Sequence, residues 1–215
     1  MVIYVTNRKL CEDDFLGRIN QLAQGKPHAV ILREKDLSLA EYESLAFKVR
    51  EICGLHEIPL IINQNITAAA RLKLASIHLS MPDLRSNINA AGRFIIGVSV
   101  HSAAEAREAQ ALGAAYLIAG HIYATACKEG IAPRGLPFLK EVCASVRIPV
   151  YAIGGITRDR ANEVLQAGAH GICIMSEAMT CADPADLAGS FRAITARDQC
   201  RRQNKLSMQC NDTGK

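Results

Sequence analysis

The stretch Val150-Tyr151-Ala152-Ile153-Gly154-Gly155-Ile156-Thr157 decides the fold. An apolar run of strand length enters a glycine pair, and a helical pattern opens after Thr157. Adjacent glycines remove the Cβ obstruction, so backbone N–H groups there can converge on an anion. Where this happens in the strand count matters as much as the glycines themselves. A doubly wound dinucleotide-binding sheet carries GxGxxG after its first strand. The first strand candidate here ends Val5-Thr6-Asn7-Arg8, without glycine. An eight-stranded α/β barrel instead holds phosphate in the loops after its seventh and eighth strands.

Working outward from that stretch, strand candidates fall at Val2–Thr6, Ala29–Leu32, Leu60–Ile62, Ile77–Leu79, Phe94–Val98, Tyr116–Ala119, Val150–Ile153 and Gly171–Met175. They are short and apolar throughout, as strands buried on both faces must be. Helical periodicity fills the gaps. Leu39–Cys53 repeats apolar residues at Leu45, Ala46, Val49 and Ile52, and Ala103–Leu112 does so at Ala106, Ala109 and Ala111. Ser102, with Glu105 three residues on, reads as an N-cap, and Thr157 reads as the N-cap of Arg160–Ala167. Gly113 and Gly168 follow helices where a left-handed cap is needed. Pro59 and Pro149 precede strands, where no ladder donor is lost. Strand–helix alternation implies right-handed parallel crossovers. With the glycine pair after the seventh strand, the expected fold is α/β, a (β/α)8 TIM barrel forming a single domain over residues 1–196. Residues 197–215 form an expected flexible, basic C-terminal tail.

Composition agrees with this. The chain has 215 residues, 49% hydrophobic and only 5% aromatic, so its core is Ala, Ile, Leu and Val packed around a parallel sheet. The scarcity of aromatics argues against a base-stacking surface, and no nucleic-acid partner is expected. Of the net charge of +4, the part from Arg197 onward accounts for +3, which leaves the body near neutral. The eight cysteines form no CxxC pair and no zinc spacing. Cys143 and Cys173 fall on apolar faces as small hydrophobes. Met1-Val2-Ile3-Tyr4-Val5-Thr6 lacks a basic leader, and no apolar stretch is long enough to cross a membrane. A cytoplasmic location is expected, with no membrane partner and a homodimer as the default assembly.

In a barrel, functional groups collect at the C-terminal ends of strands. After the seventh strand stand Gly154 and Gly155. After the eighth come Met175-Ser176-Glu177-Ala178, where a short helix would add N–H donors for a phosphate. The second strand ends Leu32-Arg33-Glu34-Lys35-Asp36. Arg33 and Lys35 alternate and so share a face, which suits a carboxylate or phosphate, although a solvated loop would also carry such charges. Asn63 closes the third strand, in position to hydrogen-bond a ring. His78, on the fourth, reads as a core histidine, and His101 stands at a helix start. The sixth strand runs Gly120-His121-Ile122-Tyr123-Ala124-Thr125-Ala126-Cys127-Lys128 and places an imidazole at the mouth. Histidine can take and return a proton near neutral pH, so His121 is open to both a catalytic and a structural reading.

Leu32-Arg33-Glu34-Lys35, Gly97-Val98-Ser99-Val100-His101-Ser102, Gly120–Lys128 and Ala152–Thr157 together resemble the thiamin phosphate synthase superfamily, in order from Tyr4 to about Ala193. The resemblance implies one of two activities. The synthase joins a pyrimidine methyl diphosphate to a thiazole phosphate. The TenI-like thiazole tautomerase aromatises a thiazole phosphate carboxylate. Synthases of the superfamily carry Asn-Asp after the third strand and Gly-Gln-Glu-Asp after the fourth, and these aspartates hold magnesium. Here Gln64 and Ser80-Met81-Pro82-Asp83 occupy those places, and one carboxylate is lost. Gly-Pro after the sixth strand is replaced by Gly120-His121, and Thr-x-Thr-Lys by Thr125-Ala126-Cys127-Lys128. These departures favour the tautomerase, an isomerase in thiamin biosynthesis needing neither metal nor cofactor. His121 would be its base and acid, and a phosphorylated thiazole its small-molecule partner. Gly154, Gly155, Met175 and Ser176 would hold the phosphate. Arg33 and Lys128, with Lys35 and Asn63 beside them, would meet the carboxylate or phosphate. The alternatives are the synthase itself and a non-catalytic regulator that binds thiazole or thiamin phosphate.

Overall fold

A computed structural model of the chain describes residues 1–187 and 189–191. Its strands are β1 (Val2–Val5), β2 (Ala29–Leu32), β3 (Leu60–Asn63), β4 (Ser76–Ser80), β5 (Ile95–Val100), β6 (Tyr116–Gly120), β7 (Val150–Ile153) and β8 (Gly171–Ile174). Each pairs in parallel with its sequence neighbour, and β8 closes on β1 through Val2↔Ile172 and Tyr4↔Ile174. The expected (β/α)8 barrel is the observed fold. Strands β4 and β5 run longer at their C-terminal ends than the apolar pattern predicts. Ser80 and Ser99 stay in the ladder as register partners, so polar side chains are part of these strands.

The helices are α1 (Phe15–Gln24), α2 (Leu39–Leu55), α3 (Ile66–Arg71), α4 (Met81–Ser86), α5 (Ala103–Ala111), α6 (Gly135–Ser145), α7 (Arg158–Gln166) and the short α8 (Ser176–Thr180). Residues 184–187 and 189–191 are also helical. Ser38 caps α2 in a reciprocal box with Glu41, and Ser102 accepts from the Glu105 amide at the start of α5. Thr157 departs from expectation: α7 begins at Arg158, and Thr157 makes no side-chain cap bond. It lines the central pocket instead. Gly113 and Gly168 take the left-handed cap conformation, at φ 90° and 110°. Three other helices end on non-glycine residues in the same region, Lys26, Glu57 and Lys73, at φ 54°, 57° and 54°. A search for glycine misses these ends.

Burial on both strand faces produces two separate cores. Tyr4, Val30, Ile62, Leu79, Val98, Leu117, Ala152 and Ile172 point outward and pack under the helices. Ile3, Val5, Ala29, Ile31, Ile61, Ile118, Tyr151 and Cys173 point inward and fill the barrel. Alternation along each strand separates the two sets. Among the described residues no helix is long and apolar enough to cross a membrane. The tail expected at 197–215 lies outside the described residues, as do Cys200 and Cys210. The six cysteines that are described are all free thiols.

Candidate active site

The C-terminal ends of the strands open onto a cavity of about 450 Å³. All nine residues singled out from the sequence line it: Arg33, Lys35, Asn63, His121, Lys128, Gly154, Gly155, Met175 and Ser176. The end of β2 explains how Arg33 and Lys35 come to face it. Glu34 turns the other way and is buried. It accepts the Thr6 hydroxyl at 2.6 Å and the Arg8 amide at 3.0 and 3.1 Å. The Thr6 oxygen in turn accepts the Arg33 amide at 2.9 Å. Arg8 also pairs with Asp36 at 2.6 and 2.8 Å, and this contact holds the Asp36 carboxyl far below the usual carboxylate range. The acids of this segment therefore tie the end of β2 to the segment that follows β1, and its two cations are left for the pocket. Among the described residues, Arg33, Lys35 and Lys128 form no ion pair.

The glycine pair has a second function besides exposing N–H groups. Gly154 and Gly155 stand at φ 104° and 62°. A Cβ on Gly154 would lie 2.5 Å from His121 Cβ, and one on Gly155 would lie 2.4 Å from the Ala124 carbonyl oxygen. The loop after β6 rests directly on this turn, with the Ile122 and Tyr123 amides donating to Ile153 and Gly154 at 3.0 Å. The same loop brings Cys127 to Ser176, thiol to hydroxyl, at 3.4 Å. The Gly154-Gly155 turn and the β6 loop are one packed unit.

His121 is nearly buried, and its Nε2–H donates to the Ile131 carbonyl at 3.2 Å. His101 Nδ1–H donates to the Gly120 carbonyl at 3.0 Å. His78 is a core histidine, as expected, at the pocket floor: Nε2 meets the Ser99 hydroxyl at 2.8 Å, and burial pushes its pKa down to about 3. Sequence reading passes over Ser99, Thr157 and Glu177, all of which line the cavity. Ser99 carried a signal, a hydroxyl at an inward position of an otherwise apolar strand. Glu177 is the one acid in the lining among the described residues; burial raises its carboxyl pKa, against the Arg158 guanidinium 3.9 Å away.

The chain is similar to known proteins. The thiamine monophosphate synthase family profile matches residues 2–178. This chain belongs to that family. A thiamine-phosphate synthase of Clostridium acetobutylicum is 39% identical over 176 residues, covering 80% of this chain and 83% of that protein. One from Methanobrevibacter smithii is 36% identical, covering 84% and 88%. A solved thiamine phosphate pyrophosphorylase from Pyrococcus furiosus superposes with a TM-score of 0.80 at 27% identity, covering 92% and 96%.

These relatives correct the functional expectation. The tautomerase reading, with its isomerase chemistry, gives way because the relatives at 39% and 36% identity are named as synthases. Gln64 and His121 are two local departures within motifs that run the length of the matched region. The structure also gives His121 a structural tie, since its imidazole is held by the backbone of its own loop. The coarser conclusion stands: the chain is an enzyme of thiamine biosynthesis.

The magnesium implied by the superfamily does not fit the residues present. Gln64 lines the cavity and Asp83 does not. One oxygen of Asp83, Oδ2, already accepts the Gln64 amide at 2.6 Å, the Ser80 hydroxyl at 2.5 Å and the Ser80 amide at 3.3 Å. Burial pushes the Asp83 pKa up, but the bonds from Ser80 and Gln64 outweigh it and hold the carboxyl below its ordinary value. No group of three or more His, Cys, Asp or Glu side chains among the described residues is placed to hold a metal ion.

Proposed function

We propose that this chain is a thiamine-phosphate synthase, a transferase that joins hydroxymethylpyrimidine diphosphate to thiazole phosphate. The reading is carried by one cavity with two walls whose residues suit anions. Gly154, Gly155, Met175 and Ser176 form one, suited to the phosphate of the thiazole. Arg33, Lys35 and Lys128 form the other, suited to a diphosphate. The synthases named among its relatives support the same choice. In the reaction the thiazole nitrogen forms a bond to the pyrimidine methylene carbon. The carbon–oxygen bond to diphosphate breaks, and diphosphate leaves with the electron pair. Negative charge grows on the leaving oxygens, where preorganised cations favour the transition state over the ground state. Asn63 and His121, at the cavity wall, orient the rings. Incubation of the chain with both substrates should yield thiamine phosphate and inorganic pyrophosphate. Lys128→Ala should lower turnover by about a hundredfold, as removal of one transition-state charge contact does. No thiamine phosphate from the unaltered chain, with or without MgCl2, would sink the reading.

A further inference from the structure

We infer that the diphosphate wall of this pocket works without a divalent cation, its positive charge coming directly from Arg33, Lys35 and Lys128. The inference rests on the synthase reading for the identity of the anion, and on the Gln64–Asp83 pair for its substance. A magnesium ion is usually held by one or two protein carboxylates together with substrate phosphates. Here the side chain facing the cavity at the end of β3 is a neutral amide. Its Nε2–H points into Asp83 and its Oε1 accepts the Asn63 amide at 3.2 Å, so Gln64 is fixed from both ends. Asp83 is withdrawn behind it, and its Oδ2 is already filled by three donors.

Charge across the cavity points the same way. Among the described residues its lining holds three cations and one acid, and that acid, Glu177, lies beside Arg158 on the opposite side, near the Gly154-Gly155 turn. A diphosphate entering this site meets a surplus of positive charge and no carboxylate needing a metal ion as a bridge. The charge of Lys35 also favours the ionised form of the Asp83 carboxyl.

Position 64 offers a clean test. Gln64 has a left-handed backbone, φ 61°, a region that Asp and Asn enter more readily than most residues. Gln64→Asp therefore introduces a second carboxylate beside Asp83 at little backbone cost, and Gln64→Asn is its neutral control. Binding of inorganic pyrophosphate is read by titration calorimetry on the whole chain, in EDTA and in excess MgCl2. The unaltered chain and Gln64→Asn should bind in EDTA within about threefold of their affinity in MgCl2. Gln64→Asp should weaken binding in EDTA about tenfold or more, and MgCl2 should restore it. Lys35→Ala should weaken binding about tenfold in both buffers. If pyrophosphate binds the unaltered chain only after MgCl2 is added, or if Gln64→Asp binds it in EDTA as tightly as the unaltered chain, the inference is overturned. Failure of the synthase reading would look different: pyrophosphate would bind in EDTA, but the two substrates together would give no thiamine phosphate.

Discussion

A methyl group on Gly155 would meet the Ala124 carbonyl oxygen at 2.4 Å and Tyr123 Cβ at 2.9 Å. Both neighbours belong to the loop after β6, and the Ala124 oxygen is backbone, so relief requires moving the loop. Adding the left-handed strain of a non-glycine residue, Gly155→Ala should cost about 2–4 kcal/mol of stability. It should also raise KM for thiazole phosphate at least about tenfold, because the displaced loop carries Lys128 and the partner of Ser176. Gly113→Ala is the comparison: it has similar backbone strain, at φ 90°, but sits at the end of α5. It should lower the urea midpoint without touching KM. An unchanged KM in both would mean the pair serves packing alone. At this scale the sequence told half the story. The glycine pair was legible as a tight turn at the mouth because glycine announces a missing side chain. That its Cβ positions face the β6 loop was not legible, since the contact joins residues some thirty apart whose spacing carries no pattern.

At the scale of elements, the end of β2 shows how a strand presents charges selectively. Arg33 and Lys35 face the cavity because Glu34 between them is drawn to the other side by Thr6 and Arg8. Alternation made the shared face of the two cations readable. The partners of Glu34 were not readable, because the segment after β1 contributes Thr6 and Arg8 from 26–28 residues away. Glu34→Gln keeps the shape but sets an amide N–H2 against donors. It should cost about 2 kcal/mol, the usual result of leaving a buried donor unmatched. If Glu34 positions the strand end, pyrophosphate affinity should fall several-fold as well. Lower thermal stability with unchanged affinity would limit Glu34 to a structural role. The helix ends divide in the same way. Those closed by Gly113 and Gly168 were found from sequence. Those closed by Lys26, Glu57 and Lys73 were not, because a lysine or glutamate gives no sign of the left-handed region that local backbone bonds, such as the Ile58 amide to the Cys53 carbonyl and the Leu74 amide to the Ala69 carbonyl, impose on it.

For the whole molecule, the closed barrel turns one buried side chain into a gauge of global stability. His78 is held between Ser99 and the Tyr116 ring, whose centroid is 5.8 Å away, and Tyr116 meets Tyr151 edge-on at 5.8 Å. Burial pushes the His78 pKa from 6.5 down to about 3. The folded chain thus binds fewer protons at this site than the unfolded chain below pH 6.5. The contribution of neutral His78 to stability is complete above the unfolded pKa and shrinks as pH falls toward 3. From pH 7 to pH 5 the loss should be about 2 kcal/mol, following the linkage slope of about 1.4 kcal/mol per unit. His28, whose pKa is also lowered, by burial and by the nearby amino terminus, adds to the acid sensitivity of the unaltered chain. Comparison with His78→Gln cancels that contribution, because His28 is present in both. Urea unfolding of the two proteins at pH 7, 6 and 5 should therefore show their stability difference moving by about 2 kcal/mol in favour of the variant. A difference that stays constant with pH would mean that the imidazole accepts its proton inside the intact barrel.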